Sequence, residues 1–165
     1  MSGYDIVEEK VIDASPDFVW KRLVSELGGA RRWWVPHVTF ERGALPVDQV
    51  GGEALGTIHA KGVDSRRGPR LRFTARTVAV EAPRRLVGNY VKGAFRGAVE
   101  FLLTPIDGGD RTRFTIHWKA RPAGRVRLMA KLVNIGKEHS RSTRDALDNL
   151  AAVASEARST TRGSR

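Results

Sequence analysis

Few side chains in this sequence could do chemistry: four histidines, two tyrosines and no cysteine among 165 residues. The missing cysteine excludes disulfides, thiolate catalysis and cysteine metal sites. His139 is the best placed of the histidines, on the apolar side of a C-terminal helical pattern. A neutral imidazole there can hydrogen-bond a ligand carbonyl or hydroxyl, or shuttle a proton, with Tyr90 or Asn89 orienting a carbonyl substrate. The plainer role is a buried histidine bonded to a backbone carbonyl or to Ser142. His37 follows the pair Trp33 and Trp34, whose rings offer stacking surface. Adjacent tryptophans on a regular element diverge, so one is expected on the core and the other half exposed. His59 can face either side of its strand, and His117 falls on a wet face. No two histidines are spaced i, i+2 or i, i+4, so no metal is expected. No nucleophile elbow, glycine-rich phosphate loop or pair of inward carboxylates is present, and no motif calls for a cofactor.

These groups need elements to aim them. From Arg125 to about Ser155 the sequence predicts one long helix. At about 100° per residue, Leu128, Leu132, Ile135, His139, Ser142, Ala146, Leu150 and Val153 fall in one stripe. Lys137, Arg141, Arg144, Asp145 and Asp148 fall opposite. So long a helix is stable only when its stripe is packed, and the β-rich segment before it is the available surface. Small and polar residues beside large apolar ones in the stripe imply a cavity rather than a solid core.

Upstream, Tyr4–Ile12 reads as a strand. Ser15, Pro16 and Asp17 then supply a cap, a first-turn proline and an early acid for a helix that Gly28 and Gly29 stop. A short second helix is expected over Arg31–Trp34. Six further strands follow, at Val38–Arg42, Glu53–Lys61, Arg70–Val80, Arg85–Lys92, Ala94–Thr104 and Thr112–Ala120, with breaks at Gly51–Gly52, Arg66–Pro69, Ala82–Pro83 and Asp107–Asp110. Alternation places Phe95, Val99, Phe101 and Leu103 on one face and Phe114, Ile116 and Trp118 on another, with Phe73 also inward. Arg72, Arg76, Arg113 and Lys119 should project outward.

The formal charge of +11 raises nucleic acid as a partner. Against that, 22 of the 29 basic residues are arginine and they are spread along the chain, so no specific nucleic-acid binding is expected. The longest apolar runs are far too short to span a membrane, and MSGYDIVEEK lacks the basic and apolar regions of a secretory signal. The expectation is a cytoplasmic protein without membrane insertion, a monomer or homodimer. Residues 1–157 form one domain, and 158–165 a basic disordered tail.

The ordered set of segments resembles the helix-grip, START-like superfamily known as SRPBCC, in its bacterial polyketide cyclase/dehydrase branch. The matching pieces are IDASPDFVWKRL (12–23), WWVPHV (33–38), VAVEAPRRLVGNY (78–90), GAFRGAVEFLLTP (93–105) and FTIHW (114–118), closed by the helix with its central histidine. The resemblance implies an α+β helix-grip fold, a seven-stranded antiparallel sheet wrapped around a long C-terminal helix, with two short helices after strand 1. It implies a cavity for a small hydrophobic or aromatic molecule that is lipid-, polyketide- or hormone-like. The expected binding residues are His139, Trp118, Phe73, Phe101, Phe114, Trp33, Trp34, His37, Ile135 and Ser142. The alternatives are a polyketide aromatase or cyclase using that cavity, with His139 and Tyr90 as candidate catalytic groups, and an interaction protein acting through its cationic sheet face.

Overall fold

The computed structural model describes residues 3–163, and in it seven strands form a single antiparallel sheet. The elements run β1 (Tyr4–Ile12), α1 (Pro16–Leu27), β2 (Val38–Arg42), β3 (Glu53–His59), β4 (Arg70–Glu81), β5 (Arg85–Gly93), β6 (Phe95–Ile106), β7 (Arg111–Pro122), α2 (Val126–Met129) and α3 (Ile135–Gly163). Sheet order is β1-β7-β6-β5-β4-β3-β2, so β2 to β7 form a meander and β1 closes it on β7. This is the helix-grip architecture.

Alternation decides which face is covered. On β7, Thr112, Phe114, Ile116, Trp118 and Ala120 are buried, while Arg111, Arg113 and Lys119 are exposed. Arg72 and Arg76 are likewise exposed on β4. The covered face receives both long helices. α1 starts where the Ser15 hydroxyl accepts the Phe18 N–H at 3.3 Å, and it buries Val19, Leu23 and Leu27 against β2, β6 and β7. α3 lies along β1.

Two ion pairs one helical turn apart tie α3 to β1, Arg144 with Glu8 at 3.1 Å and Lys10 with Asp148 at 2.8 Å. On the other flank Asp145 meets His37 at 2.8 Å, and the Asn149 amide donates to the carbonyls of Trp33 and Val35. Exposed pairs of this kind contribute under about 1 kcal/mol each; their value lies in setting where along the sheet the helix sits. At its start, Gly136 lies over Tyr4, where a Cβ would come within 3.0 Å of the ring.

The C-terminal helix departs from its expected limits at both ends. It begins at Ile135, where the Asn134 side chain accepts the Lys137 N–H at 3.0 Å, and Asn is among the best capping residues. Only the short α2 precedes it, so Leu128 and Leu132 leave the stripe and stand 68% and 88% exposed. The buried ridge is centred on Thr143, Ala146, Leu147, Leu150 and Ala154. At the far end α3 continues to Gly163, through most of the expected tail; residues 164 and 165 lie outside the described residues. Arg158 bonds Asp13 and the Asp110 carbonyl at 3.1 Å each, which gives that last stretch a surface to follow.

Residues 32–37 form bends and a turn, and no second helix forms at Arg31–Trp34. The cause is Glu26, 1% exposed at the end of α1. Its carboxylate accepts the successive N–H groups of Arg32, Trp33 and Trp34 at 2.7, 3.1 and 2.8 Å. A backbone whose amides turn toward one anion releases consecutive side chains from helical or strand divergence. Both tryptophans are therefore buried, at 0% and 6%, and their rings stack 5.0 Å apart. The expectation of one half-exposed tryptophan is corrected by this turn.

Candidate functional site

Between the covered face of the sheet and α3 lies a cavity of about 310 Å³. Its floor is made by inward residues of the meander, and small ones make the room. Ala54, Ala75 and Gly88 line it where larger side chains would fill it. Gly56 on β3 lets the Phe73 ring cross the neighbouring strand, since a Cβ there would lie 2.1 Å from that ring. α3 provides the roof through Ile135, His139, Ser142 and Thr143, and Met129 and Val133 wall it from the segment before α3.

A polar cluster interrupts this apolar lining. The His139 imidazole lies on the Trp118 indole, ring centroids 3.9 Å apart and planes 15° from parallel. Trp118 also stacks with Tyr4 at 5.6 Å. Its indole N–H donates to the Tyr90 hydroxyl oxygen at 3.0 Å. Burial removes water from His139 and lowers its pKa to about 4, so the ring is neutral near pH 7. The His139 Nε2 has one polar neighbour, the Thr143 hydroxyl at 3.4 Å; this replaces the expected Ser142 partner. Burial raises the Tyr90 pKa, an effect only partly offset by the Trp118 hydrogen bond, so the phenol keeps its proton. No acceptor for that proton is present among the described residues. Tyr90 thus carries a neutral donor on the cavity wall.

Of the residues expected to bind, the cavity brings together His139, Trp118, Phe73, Phe101, Trp34, His37, Ile135 and Ser142, with Tyr90 beside them. Phe114 and Trp33 lie outside it. Both are completely buried, packed edge to face with centroids 6.3 Å apart, and so support the wall from behind. Asn89 is exposed, one residue out of phase with Tyr90.

The competition on β3 resolves by register. Ala54, Gly56 and Ile58 pair with Arg42, Phe40 and Val38 and take the inner face. His59 falls in the opposite set but is still only 9% exposed, its Nε2 2.8 Å from the Thr39 hydroxyl. Burial first, then Arg70 and Arg31, lower its pKa. His117 is on the outer face and bonds Asp5 at 2.6 Å. Glu26, Thr143, Met129 and Val133 escape the sequence reading. Asn134 as a helix cap was the signal that would have placed the last three.

The description "Polyketide cyclase / dehydrase and lipid transport" belongs to a family model that matches residues 4–155. No curated protein is similar enough in sequence to count as a relative. Among solved structures, a protein of Thermus thermophilus is similar over 93% of this chain and 99% of its own, with TM-score 0.69 and 20% identity. The Zhui aromatase/cyclase from a Streptomyces species aligns over 93% and 94%, with TM-score 0.67 and 15% identity. A protein from Arthrobacter aurescens aligns over 93% and 86%, with TM-score 0.59 and 26% identity.

Proposed function

Because the chain belongs to the polyketide cyclase/dehydrase and lipid transport family, we propose that its cavity binds a small apolar or aromatic molecule carrying a hydrogen-bond acceptor. The observation that carries this reading is the half-buried Tyr90 hydroxyl, whose proton has no acceptor among the described residues although it stands on the wall of a largely apolar cavity. A donor sealed from water without a partner costs roughly 1–3 kcal/mol, so a ligand that closes over Tyr90 must bring it a carbonyl or hydroxyl acceptor. Phe73, Phe101 and Trp34 supply the apolar surface, and the neutral His139 offers a second polar contact from the roof. At about 310 Å³ the cavity stands at the small end of the usual range for ligand sites.

Native mass spectrometry tests this. The protein purified under non-denaturing conditions should carry a bound mass that denaturation releases. Failure to retain any small molecule, together with no fluorescence gain from the neutral probe N-phenyl-1-naphthylamine, would overturn the proposal.

A second reading is favoured by two proton-carrying groups held on one indole. His139 and Tyr90 meet through Trp118, and one solved structure of this fold is titled an aromatase/cyclase. In such a reaction the imidazole takes a proton from a methylene between two carbonyls, and the carbanion attacks a further carbonyl of the same chain. Tyr90 donates to the alkoxide, and loss of water completes the ring. A base with pKa about 4 is poorly matched to that abstraction near neutral pH, which supports binding over catalysis. Incubation with a poly-β-ketone thioester, followed by chromatography for an aromatic product, separates the two.

A further inference from the structure

The chain between β7 and α3 has two unlike faces. Met129 and Val133 line the cavity. Leu128 is 68% exposed, Leu132 88% and Val133, which also lines the cavity, 44%, three large apolar side chains within six residues of sequence. Exposed apolar residues gathered into a patch mark contact surfaces. Arg125, Arg127, Lys131 and Lys137 are interspersed with them, and all four are exposed. None of these four makes an ion pair or side-chain hydrogen bond among the described residues, although most exposed acids elsewhere do. Nor is there an acidic residue anywhere between Asp110 and Glu138. This stretch is thus both apolar and cationic on its exposed side, and no acid within it compensates the charge.

We propose that residues 125–133, with Lys137, dock on an anionic phospholipid surface. The three apolar side chains enter the headgroup–acyl boundary and the four cations meet lipid phosphates, the arrangement that holds peripheral segments at an interface. No helix of the described residues is long and apolar enough to cross a membrane, so the contact is interfacial. A second copy of this chain is a poor occupant, because it would bring the same four cations against each other on a protein of charge +11. Nucleic acid would use the cations and leave the leucines in water. Docking also sets Met129 and Val133, and with them one wall of the cavity, against the bilayer.

Vesicle co-sedimentation tests the proposal. The protein should bind phosphatidylcholine vesicles containing phosphatidylglycerol, bind vesicles of phosphatidylcholine alone far more weakly, and lose binding as salt rises. The Leu128→Ser/Leu132→Ser variant, exposed at both positions and so folded by circular dichroism, should lose most of the binding. Each juxtamembrane cation is worth roughly fivefold in affinity, so Arg127→Glu/Lys131→Glu should weaken it by more than about tenfold. Arg72→Glu/Arg113→Glu, the same charge change on the outer sheet face, should leave it nearly intact. Equal loss in the sheet variant would reduce the effect to net charge and overturn the proposal. So would the absence of vesicle binding, or a dimer in solution that the serine variant dissociates.

Discussion

His139 and Trp118 form one stacked unit across the gap between α3 and β7, rings 3.9 Å apart. Burial keeps the imidazole of this unit uncharged near pH 7. The unfolded chain takes up a proton near pH 6.5 that the folded chain takes up only near pH 4. Acid therefore favours unfolding across that interval. The stability tied to the neutral ring is complete above about 6.5 and falls by at most about 3 kcal/mol as pH drops to 4. His59, lowered by burial and by Arg70 and Arg31, adds a change of the same sign. Urea unfolding at a series of pH values should show a steeper decline in the wild type than in His139→Gln. Equal slopes would mean that the ring is not desolvated.

Filling the cavity should abolish binding without unfolding the protein. Gly88 lines it, and a Cβ there makes ordinary 3.7 Å contacts with Ala75, Val99 and the Arg76 carbonyl oxygen. Gly88→Leu should therefore occupy the void and keep or raise the melting temperature, because filling an apolar void restores lost contacts. N-phenyl-1-naphthylamine fluorescence should fall to background in this variant. Retained probe binding would place the ligand elsewhere.

Tyr90→Phe separates the polar contact from the apolar one. It removes the donor and also strips the Trp118 indole N–H of its acceptor. We expect about 1–3 kcal/mol of lost stability. Affinity for a carbonyl-bearing aromatic should fall by roughly tenfold while its hydrocarbon analogue is unaffected. Isothermal titration with the matched pair reads the difference directly.

Glu26→Gln should be among the most damaging single substitutions outside the cavity. Three backbone donors converge on that carboxylate, and hydrogen bonds to a charged acceptor are stronger than neutral ones. A loss of about 2–4 kcal/mol is expected, measured by chemical denaturation, with a red shift of tryptophan emission as Trp33 and Trp34 loosen. A neutral outcome would show that the turn holds without the charge.

The strands were legible because one face is wet: Phe114, Ile116 and Trp118 alternate with Arg113, Thr115 and His117, and β1 and β2 have the limits that composition predicts. Helix α1 was equally plain from Ser15, Pro16 and Gly28. Periodicity failed where a side chain overrides it. Leu128 and Leu132 continue the apolar phase of α3, yet the Asn134 cap starts the helix after them. The Glu26 carboxylate makes a turn from residues that count as helical. His59 was ambiguous because burial at the end of β3 does not follow alternation; it falls in the outer set, yet it bonds Thr39 and borders the cavity.

The sheet order also dictates a sequence of events in time. Strands β2 to β7 each pair with the next in the chain, but β1 has one neighbour, β7, with Tyr4 opposite Ala120 and Ile12 opposite Thr112. The earliest strand of this sheet to be made is thus the last able to pair. Until the Arg111–Pro122 segment has been made, Ile6 and Ile12 stay on an open strand and Glu8 and Lys10 await the α3 residues that they will hold. Such long-range closure slows folding. A nascent chain stalled before residue 111 should therefore present β1 unpaired, the feature through which incomplete chains associate with one another.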